Sequence, residues 1–473
     1  MQTGKTTKRS WSVDSLVLIF SFIVVAQLLS YVIPHGQFER APSPDQPDRM
    51  VVVAGTYETL SGDDHVSLPA WHFLMAVTEG LASAQGIIFL IFLVGGVIAV
   101  LRKTGAIDAA LHRAVEKLDK SPGILIGGCL FIFSIGAYTI GMGEEYVPLV
   151  PIIVTMSLAM RMDAIVAMGM VWVPYGIGWA CAGINPFGVL IAQNIAQVPL
   201  TSGWALRLAM MVVFLGIAFH HIYRYALRVQ ADPSSSLVAH VDYSQGFEAP
   251  SDLHFNLRRS LILAVFLLGL AVFVYGVAEH HWYITELNAI FLAMGLIAAL
   301  IAGMSAGETS RTFIEGAAAM TPAALLVGFA RTIEVVMSDG QIIDTVIFSI
   351  AGVLEGLPSE ASVIGMLLVQ TICNFFIPSG SGQAFVTMPI MSPLATLTDV
   401  PQQTAVLAYQ FGDGFTNMIV PTSALVMGAL ALGKVPYSAW FRFVGPLLLK
   451  IFAVAAIFLV MSMYIGEATG FYA

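Results

Sequence analysis

The chain carries one pattern twice, about 236 residues apart. The first copy reads Thr78-Glu79-Gly80, Leu93-Val94-Gly95, Gly105…Asp108, Gly141-Met142-Gly143-Glu144, Pro186 and Val198-Pro199…Trp204…Arg207. The second reads Ile314-Glu315-Gly316, Leu326-Val327-Gly328, Gly340…Asp344, Gly380-Ser381-Gly382-Gln383, Pro421 and Val435-Pro436…Trp440…Arg442. The order is kept and the offset stays close to its mean. A duplicated unit with glycine-rich polar breaks at matching positions is the mark of a secondary transporter, provided the unit spans a membrane.

Composition supplies that condition. Of 473 residues, 57% are hydrophobic and 11% charged, against about 25% charged in soluble domains. So much apolar surface requires lipid as solvent, and the class is an all-α polytopic membrane protein. Solidly apolar runs such as 261–277 exclude a β-barrel, whose strands alternate. The net charge of −9 carries little meaning beside charge placement. Cys129, Cys181 and Cys373 lie in apolar segments without metal-ligand spacing and read as packing residues. Basic residues precede an apolar run from Val13 to Ile33, as in a signal peptide, but the run is long and reads as a first span.

Basic residues orient the loops. Lys5, Lys8, Arg9, Arg102, Lys103, Arg113, Lys117, Lys120, Arg161, Arg224, Arg228, Arg258, Arg259, Arg311, Lys434 and Arg442 fall on one side, and only Arg40 and Arg49 occupy loops on the other. The N-terminus is then cytoplasmic and the C-terminus periplasmic or external. Residues 1–70 form a first transmembrane helix and an outer loop. Repeat one covers 71–228, with an amphipathic surface stretch at 71–84, an inner hairpin at 122–160 and a broken helix at 163–198. Residues 229–306 hold an inner linker and two connecting spans. Repeat two covers 307–473, with an outer hairpin at 360–398, a broken helix at 402–430 and a last span. The arms 124–140 and 146–160 each fall short of the ~20 residues needed to cross, so the hairpins are expected to be re-entrant. The first copy and the linker together contain an odd number of crossings. The repeat is therefore expected to be inverted, with two re-entrant hairpins and two broken transmembrane helices.

Irregular backbone at membrane depth is tolerated only where protein or trapped water satisfies it. Helix N-termini exposed at a break attract anions, and freed carbonyls coordinate cations. The four breaks should therefore converge on a site for a small charged solute. The first tip carries Gly141, Gly143, Glu144 and Glu145. A carboxylate at that depth costs several kcal/mol unless paired, hydrated or protonated, which makes Glu144 and Glu145 candidates for carrying a proton or binding a cation. The second tip offers Ser379, Ser381, Gly382 and Gln383. The first broken helix offers Asn185 and Pro186, and its mate Asp413, Asn417, Pro421, Thr422 and Ser423. Asn185 and Ser423 also suit local repair of proline kinks. Gln410 and Tyr175 occupy corresponding places. Arg331 and Glu334, three apart, read as an ion pair on one helix face. Trp204 and Trp440 read as interfacial anchors. Asn185, Asp413 and Thr422 are the candidate sodium ligands. No resident metal or cofactor is expected, only a coupling ion, sodium or proton.

Enzymatic readings are weak. No His-Glu-x-x-His and no Walker-type Gly-Lys-Ser occurs, and no histidine lies in an apolar core segment to activate Ser379 or Ser381. A gated channel would need a continuous polar lining, whereas the polar residues here cluster at paired points.

Gly141-Met-Gly-Glu-Glu145, Asn185-Pro-Phe187, Ser379-Gly-Ser-Gly-Gln-Ala384, Gln410-Phe-Gly-Asp-Gly-Phe415 and Pro421-Thr-Ser-Ala424 together resemble the C4-dicarboxylate anaerobic carrier (DcuC-like) family of the ion transporter superfamily. The chain is most similar to its YfcC branch, often labelled as basic amino acid antiporters. The resemblance implies a scaffold and transport unit in each repeat, elevator-type alternating access and a homodimer. It also implies Gly143, Glu144, Asn185, Ser381, Gly382, Asp413, Thr422 and Ser423 as site residues. The expected function is secondary transport of small organic solutes across the bacterial inner membrane. The acidic centre favours amino acids, basic ones included, over the alternative of a sodium- or proton-coupled dicarboxylate carrier. The expected partners are that solute, the lipid bilayer and a second copy of the chain, with no nucleic acid.

Overall fold

A computed structural model describes residues 15–42, 50–53, 55–61, 67–107, 109, 113, 121–139, 141–185, 187–243, 256–280, 282, 284–354, 356–466 and 471. The fold is almost entirely helical. Helix α1 (Ser15–Leu29) precedes a segment of short strands, Gly36–Gln37 paired with Glu58–Thr59 and Arg40–Pro42 paired with Met50–Val52. Then come α2 (His72–Ser83), α3 (Gln85–Lys103), α4 (Pro122–Thr139), a 3-10 turn (Glu144–Leu149), α5 (Val150–Ala159), α6 (Ala164–Ala180), α7 (Val189–Ile195) and α8 (Trp204–Ala231). Helices α9 (Leu257–His280) and α10 (Ile284–Ala302) follow. The rest is α11 (Ala306–Ala319), α12 (Thr321–Asp339), α13 (Ile343–Gly352), α14 (Ser359–Phe376), α15 (Gly380–Leu397), α16 (Gln402–Thr416), α17 (Ala424–Leu432) and α18 (Tyr437–Ile465).

Local chemistry sets several of these boundaries. Asp163 caps α6 by accepting from the Val166 amide at 3.0 Å. Ser305 caps α11 by accepting from the Glu308 amide at 3.2 Å, with the spacing of a capping box. Positive φ at Gly141 (75°) lets the chain turn out of α4 where an L side chain would be strained.

Among the described residues, six helices are long and apolar enough to cross a membrane, and a seventh candidate is the pair Ala306–Ala319 and Ala324–Asp339, bent by 42°. The six include α4 and α14, each of 18 residues. Helix α4 thus exceeds the arm read at 124–140, because it begins two residues earlier, at Pro122. The stretch at 71–84, expected at the surface, is α2, and it packs on α12 with Ala76 and Gly80 buried. Most of residues 105–119 and all of Pro186 lie outside the described residues.

Helices α6 and α16 form the centre. Every residue of α6 is buried, as is α16 from Gln403 to Thr416. They cross where Gly176 meets the Gly414 carbonyl and Gly414 meets the backbone of Ala180. Small residues allow such close backbone approach. A side chain at Gly414 would meet the main chain and the Cβ of Ala180, none of which can swing aside. Gly414→Val should therefore destabilise the purified protein by about 1–3 kcal/mol, read as a lower thermal midpoint in detergent. Around this centre pack α4 and α8 on one side and α14, α15 and α18 on the other. Helices α1, α2, α3, α10, α11 and α12 form a separate layer, with α17 lying against α12.

Candidate functional site

A cavity of about 490 Å³ lies where the chain breaks meet. The first copy contributes Gly141 and Glu144 from its tip, Tyr175 and Trp179 from α6, and Phe187 from the break before α7. The second contributes Ser379, Gly380 and Ser381 from its tip, and Asn417, Thr422 and Ser423 from the break after α16. The opposite wall is Ser83, Ala84, Gly86 and Ile87 at the junction of α2 and α3, with Ile284 of α10 and Arg331 of α12.

The electrostatics of the walls follow from backbone direction. Helix α15 begins at Gly380, where the Ser379 hydroxyl accepts from the Gly382 amide at 3.4 Å. Helix α17 begins at Ala424, one residue after Ser423. Both N-terminal turns reach the cavity, and the positive ends of helix dipoles favour an anionic group there. Arg331 brings a guanidinium to the opposite wall, paired with Glu334 on its own helix. Glu144 opposes these with a carboxylate.

Other acids stand behind the wall. Asp413 is fully buried and accepts from Trp179 Nε1 at 2.6 Å and from Asn417 Nδ2 at 3.0 Å, so it fixes two side chains that do line the cavity. A Cβ on Gly380 would lie 3.0 Å from the Asp413 carboxylate and closer still to the Trp179 ring, so only glycine leaves this contact room. Glu145 is buried and accepts from the Gly143 amide at 2.7 Å, holding the tip's own backbone. Gly143 packs against the Tyr175 ring.

Asn185 is also turned inward. Its Oδ1 accepts from the Phe187 amide at 2.7 Å and its Nδ2 donates to the Ala137 carbonyl at 3.2 Å, which ties the break to the end of α4. Gln383 is fully buried and donates to Gln370 Oε1 at 2.7 Å, away from the cavity. Thr422 Oγ1 donates to the Phe375 carbonyl at 2.7 Å while still lining the cavity. Asn374, not singled out from sequence, donates to the Asp413 carbonyl at 3.0 Å and Asn417 Oδ1 at 2.9 Å and links the second tip unit to the broken helix. Among the described residues no group of three His, Cys, Asp or Glu could hold a metal ion.

Three further residues differ from the sequence reading. Trp179 lines the cavity, and its signal was a tryptophan far from a span end, where indoles rarely sit. Trp440, read as an interfacial anchor, is fully buried and donates to the Met418 carbonyl at 2.7 Å, because the first turn of α18 packs under the second break. Arg207, named from sequence only as part of the repeated pattern, is fully buried, bonded to Gln410 and to Gln403 at 3.2 Å, with its guanidinium 5.4 Å from the Phe471 ring.

Apolar helices enclosing a polar, solute-sized cavity built at chain breaks define a multi-span membrane transporter. The chain belongs to the C4-dicarboxylate anaerobic carrier family, DcuC, which it matches over residues 13–464. It is a transporter and not an enzyme. The Escherichia coli (strain K12) protein titled "Putative basic amino acid antiporter YfcC" is 32% identical over 505 residues, covering 98% of both chains. An uncharacterized protein of Haemophilus influenzae (strain ATCC 51907 / DSM 11121 / KW20 / Rd) is 30% identical over 419 residues, 87% of this chain and 82% of that one. The YdaH transporter of Alcanivorax borkumensis, known from a crystal structure, is 15% identical over 98% of this chain and 100% of its own, with a TM-score of 0.43, too low to bear on the arrangement of helices.

Proposed function

We propose that the chain is a secondary active transporter of amino acids, basic ones among them, working by exchange or coupled to a proton or sodium gradient across the bacterial inner membrane. One observation carries this reading: a single cavity is lined by a carboxylate, Glu144, by two helix N-termini and, across from them, by a guanidinium, Arg331. A solute with both an amine and a carboxylate satisfies both walls. The same N-termini and Arg331 favour the second reading, a dicarboxylate carrier in which Glu144 and Asp413 serve a coupling ion, with Asn185, Asp413 and Thr422 as the sodium ligands to test. Proteoliposome counterflow of radiolabelled arginine, alanine and succinate, with sodium and pH gradients set separately, decides. Exchange of amino acids alone supports the first reading, and succinate alone overturns it in favour of the second. Flux of all three without saturation sinks both.

The proposed architecture is an inverted repeat with re-entrant tips, divided into a framework and a sliding unit, and assembled as a homodimer. Contacts that trade places between the copies support the inversion. Gly80 of the first copy meets Gly328 of the second, and Gly316 of the second meets Gly95 of the first. At helix level α2 packs on α12 and α11 on α3, the exchange a two-fold axis requires. The proposed framework is α1–α3 with α9–α12, and the sliding unit is the rest. The seam between them is smooth where Gly428 of α17 faces Val327 and Ile91.

With the N-terminus cytoplasmic, Ser83–Ile87 and Ile284 lie at the outer ends of α3 and α10, so this conformation faces outward. A Ser381→Cys variant should then react with a membrane-impermeant thiol reagent applied outside, and excess substrate should slow the reaction at least severalfold. Labelling from the inside alone would reverse the assigned orientation.

A further inference from the structure

The second cavity of interest, about 400 Å³, lies between α8 and α18 and has no part in the solute site. His220, His221, Arg224 and Arg228 recur at one-turn spacing and share a face of α8. Arg442 and Lys450 share the facing side of α18, about 12 Å apart along the helix axis. Among the described residues, no acidic side chain lines the cavity. Among the described residues, none of Arg224, Arg228, Arg442 and Lys450 makes an ion pair or a side-chain hydrogen bond. The acid beneath them, Asp163, is committed to Tyr225 Oη at 2.6 Å, Ser236 Oγ at 2.6 Å and the α6 amide.

Four cations sharing one cavity repel each other, and a lysine that far along a spanning helix is expensive without a counter-charge. Among the described residues no anionic group faces them. The apolar neighbours say what kind of anion suits them. Phe441 and Leu449, next in sequence to Arg442 and Lys450, are 53% and 75% exposed, an apolar strip about 100° around α18 from the cations that line the cavity. We propose that this cavity binds the phosphate headgroup of an anionic phospholipid, whose acyl chains lie along Phe441 and Leu449. Basic pockets between spanning helices recognise such headgroups, and each cation near the membrane surface contributes roughly fivefold to binding.

Native mass spectrometry of the purified full chain, offered equal phosphatidylglycerol and phosphatidylcholine of identical chains, tests this. The wild type should retain phosphatidylglycerol preferentially. Arg224→Gln with Arg442→Gln should remove about 25-fold of that preference. Arg224→Lys with Arg442→Lys should keep most of it, and Arg258→Gln with Arg311→Gln, which removes equal charge elsewhere, should keep all of it. Equal retention of the two lipids by the wild type overturns the proposal. So does displacement of phosphatidylglycerol by millimolar inorganic phosphate, which marks a small-anion site. If the glutamine pair does not fold, the lysine pair and the wild-type lipid competition still decide.

Discussion

A Glu144→Gln protein should reach the membrane, melt like the wild type and transport little or nothing; any residual uptake should no longer respond to pH. Glu144 is the carboxylate at the cavity wall, and glutamine keeps its size and its hydrogen-bonding reach. What is lost is the charge, and with it either the counter-ion of a substrate amine or a proton carrier. Hydrogen bonds to charged groups are worth about 1.5–3 kcal/mol, so an amine ligand should bind roughly 10- to 100-fold more weakly. The measurements are counterflow in proteoliposomes at several pH values and a thermal melt of the same preparation. Wild-type uptake with wild-type pH dependence would remove Glu144 from the mechanism. The matching change at Glu145 should behave differently. That carboxylate holds the Gly143 amide, so Glu145→Gln should lower the melting midpoint along with uptake.

Arg331→Gln should weaken the apparent affinity for a carboxylate-bearing solute by about the same factor, 10- to 100-fold, again from one charge-assisted contact. The reasoning is geometric. Arg331 stands on α12 across the cavity from both second-copy helix N-termini, and its Glu334 partner lies one turn along. A purely structural pair predicts another result: Arg331→Gln and Glu334→Gln should then lower stability equally and leave KM alone. If the guanidinium meets substrate, Arg331→Gln raises KM, whereas Glu334→Gln leaves it unchanged or lowers it by freeing the arginine. Saturation curves for the three proteins separate the cases.

Much of the helix layout was legible because glycine and proline mark where a helix cannot continue. Gly141, Gly380 and Pro421 each sit within a few residues of a helix end, and the polar residues beside them are the ones that reach the cavity. Which way each polar side chain turns was not legible. Glu144 and Glu145 are adjacent and chemically identical, yet one lines the cavity and the other holds backbone. Gln383 follows two residues after Ser381 and turns to Gln370 instead. Glu145 and Gln383 turn to partners 2 and 13 residues away, whose own placement depends on the folded tips, while the partner of Asp413, Trp179, arrives from 234 residues away. Arg331 illustrates the same limit. Its spacing from Glu334 foretold the ion pair, because that is a property of one helix, but not the cavity, because that depends on what packs opposite.

The outer strands have a mechanical consequence. Arg40 and the Phe38 amide both hold Asp344 of α13, and Tyr57 stacks on Phe348 at 4.0 Å, so one end of this segment is clamped. Its other pair, through Met50–Val52, rests on α15, the arm that begins at the second tip. Both anchors fall within the proposed sliding unit, so in that proposal the ribbon is a brace that keeps α13 and α15 in step, and cutting it should loosen the two helices from each other.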